Sequence, residues 1–251
     1  MNRKAQMVCL WSAPAFMIVF LIGFLIAGLL PPPSPHSSAI KIAHFYANHT
    51  NAIRLGLLVM LLAGAMSVPF NCLIGVHLKR IEGRSHVLAY TVVAMGAVNC
   101  ILICMPVMIM TAAAFRPLRD PNLTQTLNDL AWIPFVMVFP PAVIQNLCIA
   151  FATFTDGSRK PVFPRWVAYF NLWCSFLFLP AGLLTFFKTG PFAWNGLLSF
   201  WVALTVFGSW YFVMFYALRE AIKSQAADEA AGAEPATERV VPPVTAVPQH
   251  A

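Results

Sequence analysis

The chain has 251 residues, of which 59% are hydrophobic and 10% charged, with a mean hydropathy of +0.73. A soluble domain carries about 25% charged residues, so this composition excludes a water-soluble fold and makes a bilayer the solvent. The formal charge of +7 is spread singly and in pairs without a basic stripe, which argues against nucleic acid and assigns the cations to orientation in the membrane.

Charge-free apolar stretches long enough for a hydrocarbon core of ~30 Å occur at 9–30, 55–78, 87–114, 130–154, 166–187 and 194–218. They predict an all-α polytopic protein with six transmembrane helices in a single domain, residues 1–224. The first stretch follows Arg3 and Lys4 but ends in Leu29, Leu30 and Pro31 with no small-residue cleavage site, so it reads as a span and not a leader. After it, Pro31, Pro32, Pro33 and Pro35 stop the helix. Ile42, Phe45, Tyr46 and His49 then recur at helical spacing, predicting a short helix lying in the interface.

Six spans put both ends of this domain on one side. Arg3, Lys4, Lys79, Arg80, Arg84, Arg159, Lys160, Arg165, Arg219 and Lys223 on that side outnumber Lys41, Arg54, Arg116, Arg119 and Lys188 on the other, which predicts cytoplasmic termini. The compact loops suggest a bacterial inner membrane. Residues 225–251, rich in Ala, Glu and Pro, read as a disordered cytoplasmic tail.

Spans two and three carry Pro69, Asn71, a basic loop and Pro106; spans four and five carry Pro141, Asn146, a basic loop and Pro180 at a near-constant offset. This is a weak parallel two-helix repeat, not the inverted kind common in transporters.

The spans hold no Asp, Glu, Lys or Arg, and His77 sits at an edge, which disfavours carboxylate-coupled transport. Cys9, Cys72, Cys100, Cys104, Cys148 and Cys174 lie in apolar runs and read as free thiols; no cysteine and histidine spacing suits a metal, and no haem ligand pair or cofactor motif is present. What remains is uncharged polarity. Asn99 falls near the midplane, with Asn71, Gln145, Asn146 and Asn171 roughly 5 to 8 Å nearer the cytoplasm, counting the helical rise. Such carboxamides either bond one another across helices or face a substrate. Pro134, Pro140 and Pro141 in span four and Pro69 in span two break backbone ladders beside this layer, as happens at binding cavities. Gly96, Cys100 and Cys104 form a small-residue stripe for helix packing.

The leading expectation is binding or transport of an uncharged or apolar small molecule by Asn71, Asn99, Gln145, Asn146 and Asn171, with membrane lipid around the bundle. A second is a non-catalytic accessory subunit or homo-oligomer docking through the Gly96 stripe and aromatic faces. A third is an enzyme at the inner mouth, with His77 or His86 as base and Arg84, Arg159 or Lys160 holding an anionic group.

Overall fold

The computed structural model describes residues 3–233. It consists of α1 (Arg3–Ile26), α2 (Ala39–Asn48), α3 (Thr50–Glu82), α4 (Val87–Phe115), α5 (Pro121–Val136), α6 (Phe139–Thr155), α7 (Arg165–Phe178) and α8 (Ala203–Ala233). A 3₁₀ segment, Leu179–Thr185, continues α7, and a π segment, Leu197–Val202, leads into α8. Six helical stretches are long and apolar enough to cross a bilayer: Arg3–Ile26, Thr50–Glu82, Val87–Phe115, Pro121–Thr155, Arg165–Thr185 and Leu197–Glu229. The chain is an all-α multi-pass integral membrane protein.

Both faces of these helices are apolar, because one meets the core and the other meets lipid. On α1, Leu10, Ala13 and Phe16 are buried while Val8, Trp11, Ile18 and Leu25 are exposed. α3 is the central helix for α1 and α4 and also meets α2, α6 and α8, while α5 packs on α4 and α7 on α6 and α8. Helix α3 meets α1 where two glycines cross: a Cβ on Gly23 would lie 2.7 Å from the Gly56 carbonyl oxygen, and one on Gly56 would strike the Gly23 oxygen and the Ala27 nitrogen. Backbones come this close in membranes only where side chains are absent. On its other side α3 receives the small residues of α4. A Cβ on Gly96 would sit 2.5 Å from Asn71 Cβ, a Cβ on Gly64 would sit 2.5 Å from Cys104 Sγ, and Cys100 Sγ lies 3.4 Å from the Gly64 oxygen.

The ends of α4 are fixed by charge. At its start, Glu82 accepts from the backbone N–H groups of Leu88 at 2.9 Å and Ala89 at 2.8 Å. At its finish, Arg54 donates through Nε to the Ala114 carbonyl at 3.2 Å and through Nη2 to the Phe115 carbonyl at 2.9 Å. Each charge has the sign that the helix dipole favours there. At the corresponding turn between α6 and α7, Asp156 accepts from the N–H groups of Ser158 and Val162.

Three spans depart from α geometry, and they do so in the half of the bundle away from the basic loops. Span four breaks at Met137 and Val138, between Pro134 in α5 and Pro140 and Pro141 in the first turn of α6. Proline removes backbone donors, so the ladder ends where three of them cluster. Span five turns 3₁₀ just before Pro180, and span six begins as the π segment. The short α2 forms as its periodicity predicts, capped by Ser38, with Ile42 and Tyr46 buried.

The last helix extends past the expected boundary at residue 224 and runs to Ala233. Good helix formers and ion pairs explain this: Lys223 bonds Glu220 at 2.7 Å, and Lys160 from the α6–α7 loop bonds Asp228 at 2.9 Å. The rest of the expected tail, residues 234–251, lies outside the described residues.

Candidate functional site

A cavity of about 460 Å³ opens inside the membrane-spanning bundle. Its walls come from α1, α3, α4, the break between α5 and α6, the π segment and α8. Two of the irregular stretches reach it, with Val138 and Phe139 at the span-four break and Ser199 and Phe200 from the π segment, and Phe178 comes from the last residue of α7 beside the third. Non-helical backbone at membrane depth is tolerated where it is buried in protein or borders a cavity, and here it does both.

Most of the lining is apolar, with phenylalanines prominent, and it contains no Asp, Glu, Lys, Arg or His. Phe20, Phe24 and Phe135 form one side as near-parallel rings, with Phe135 at 6.4 Å and 5° from Phe20 and at 5.9 Å and 14° from Phe24. The polar side is a hydrogen-bonded row. Asn99 Nδ2 donates to Gln145 Oε1 at 3.0 Å, Gln145 Nε2 donates to Asn71 Oδ1, and Asn71 Nδ2 donates back to the Ser67 carbonyl at 2.9 Å. The Tyr211 phenol adjoins the side chains of Asn71 and Ser67. Helices α3, α4 and α6 are thus joined at one depth by carboxamides, with the oxygens of Gln145 and Asn71 used by their neighbours.

Asn146 differs from the others. It lines the cavity, is 2% exposed, and its Nδ2 has no hydrogen-bond partner among the described residues. A buried amide donor without an acceptor costs about 1–3 kcal/mol, and none of the bonds in the row reaches this one. No protein-family model, curated protein or solved structure matches this chain. The site is therefore read from its own chemistry.

Asn171 stands apart from the other four carboxamides. It is fully buried, accepts from Trp210 Nε1 at 2.9 Å and donates to the Val167 carbonyl at 2.8 Å, and it is not part of the cavity wall. It reaches the site only through Trp210, which does line the cavity. In the Gly96, Cys100 and Cys104 row, Gly96 is buried against Asn71 and the two cysteines meet Gly64 of α3 while staying half-buried.

At the basic end, His77 is enclosed. Arg80 Nη1 donates to its Nδ1 at 3.0 Å, which leaves Nε2 as the protonated nitrogen, donating to Gln6 Oε1 at 3.2 Å. Both ring nitrogens are occupied, as a general base would not have them. His86 Nδ1 is buried without a partner among the described residues, Arg84 and Arg159 are exposed, and Lys160 pairs with Asp228. No group of three or more His, Cys, Asp or Glu among the described residues could hold a metal ion.

Sequence reasoning missed Ser67, Trp210, Tyr211 and the phenylalanine walls. Trp210 and Tyr211 carried a signal, since a polar-tipped aromatic far from the headgroups needs a buried partner. The phenylalanines carried none.

Proposed function

We propose that this protein binds, and in binding moves or presents, an uncharged small molecule held in the intramembrane cavity against Asn71, Asn99, Gln145 and Asn146. The observation that carries the reading is the buried Nδ2 of Asn146, without a partner among the described residues, on a residue that lines a cavity of about 460 Å³, a volume within the usual range of small-molecule sites. A charged ligand is disfavoured, because the lining offers no ion to pair with it in a low-dielectric setting. Asn171 enters this reading as a positioning residue that fixes Trp210. The excess of Lys and Arg at the end bearing the α3–α4 and α6–α7 loops supports a cytoplasmic location for that end, and the compact loops favour a bacterial inner membrane.

The test is native mass spectrometry of the chain released from nanodiscs. A retained neutral mass, present in wild type and in Asn171→Gln but lost in Asn146→Leu, is the expected result. Wild-type protein carrying nothing beyond bulk lipid would overturn the reading and leave the carboxamide row as interhelical glue.

A further inference from the structure

We propose that the ligand is a membrane-dissolved ring compound with a carbonyl oxygen and an apolar tail, and that it enters sideways from the bilayer between α1 and α8. This rests on the ligand-binding reading above and adds to it the chemical class and the route.

The route follows from how α1 meets α8. Toward the basic end the two helices close on each other through aromatic contacts, Trp11 with Phe215 at 5.4 Å and Phe16 with Tyr211 at 5.2 Å. Farther along, Ile18 and Leu21 of α1 and Leu204 of α8 line the cavity and are at the same time exposed on the outside of the bundle. A residue that does both marks a mouth. This one lies within an apolar span and is edged by aliphatic side chains, so it faces acyl chains and not water. A tail left in that mouth stays in its own solvent.

The chemical class follows from the two walls. The Phe20, Phe24 and Phe135 rings, near-parallel at interplanar angles of 5°, 14° and 19°, form an offset stack on the cavity wall that a planar ligand ring extends. Elsewhere in the lining, the Oε1 of Gln145 and the Oδ1 of Asn71 are already accepting, while the Nδ2 of Asn146 has no acceptor among the described residues. The ligand group that satisfies this donor is an acceptor. A ring carbonyl places one at the edge of a planar system, and a quinone is the familiar lipid-soluble form of that chemistry.

The probe is a photoreactive azido-benzoquinone with a decyl tail, applied to the full chain in nanodiscs, with adducts mapped by peptide mass spectrometry. Adducts are expected within residues 18–24 and 204–211, suppressed by excess decylubiquinone and not by decanol, and reduced about tenfold in Asn146→Leu. Leu204→Trp, which adds bulk at the mouth without entering the core, is expected to slow labelling about tenfold while reaching the same end point. Equal suppression by decanol overturns the ring carbonyl and leaves the cavity reading intact. Unslowed labelling of Leu204→Trp overturns lateral entry. Adducts only elsewhere, together with no retained neutral mass in native spectra, overturn the ligand-binding reading itself.

Discussion

Arg54 and Glu82, at opposite ends of α3, hold opposite ends of α4: the guanidinium covers the last carbonyls at Ala114 and Phe115, and the carboxylate covers the first free N–H groups at Leu88 and Ala89. One helix thus neutralises both poles of its neighbour, and the 29 residues of α4 are fixed in register against α3 by charge at the ends and by glycine at Gly96 between them. Glu82→Gln is expected to destabilise the chain by ~1 kcal/mol and to speed amide exchange at Leu88 and Ala89. Unchanged exchange there would show that the cap is not what holds this turn.

The carboxamide row is expected to behave as a unit. Gln145→Leu removes the group that both Asn99 and Asn71 use, and a loss of ~1 kcal/mol is expected in unfolding from mixed micelles. Combining it with Asn71→Leu should cost less than the two separate losses added together. Simple additivity in that cycle would mean that the two side chains do not interact.

Helix approach limits what can replace the crossing glycines. Gly56→Ala would drive a methyl group into the backbone of α1 at Gly23 and Ala27, where nothing can rotate away, and a loss of ~1–3 kcal/mol is expected. Gly83→Ala, where the added Cβ would meet nothing within 4 Å, tests a different cost, that of a φ of 66°. Thermal unfolding should show Gly56→Ala as the worse of the two; the reverse order would place the α1–α3 contact farther apart than described.

Tyr46 of α2 is buried and donates to Asn128 Oδ1 at 3.4 Å. Burial, with a smaller contribution from Asp129, raises its phenol above the ordinary 10.0. The folded chain then keeps a proton that the unfolded chain releases, so this contribution is whole below pH 10.0 and is lost as pH rises toward the folded value. Tyr46→Phe is expected to flatten the alkaline fall in stability between about pH 9 and about pH 11. Equal slopes in denaturation of both proteins would show Tyr46 titrating as an exposed tyrosine.

The spans were legible because length without charge has one meaning in a chain of this composition, and the carboxamides stood out because polarity inside such a stretch needs a partner. Pro134, Pro140 and Pro141 announced trouble in span four, and the ladder does part between them. The cavity was not legible. Inward and outward phenylalanines look alike when core and solvent are both apolar, so no moment separates Phe20 from Ile18. The service of Glu82 to α4 was hidden for another reason: the residue belongs to the preceding helix and reaches across a turn. Nothing in residues 197–202 signals a π segment, whereas Pro180 marks the 3₁₀ segment in retrospect.

That 3₁₀ segment changes how far span five reaches. The 14 residues of α7 rise about 21 Å, and the seven that follow rise about 14 Å at the steeper 3₁₀ pitch, where α geometry would give them about 10 Å. A stretch of 21 residues, the shortest of the six, thereby covers about 35 Å and clears a hydrocarbon layer of about 30 Å with length to spare. The drawn-out backbone trades ladder strength for distance, so this span fits its membrane by stretching where a longer one would tilt.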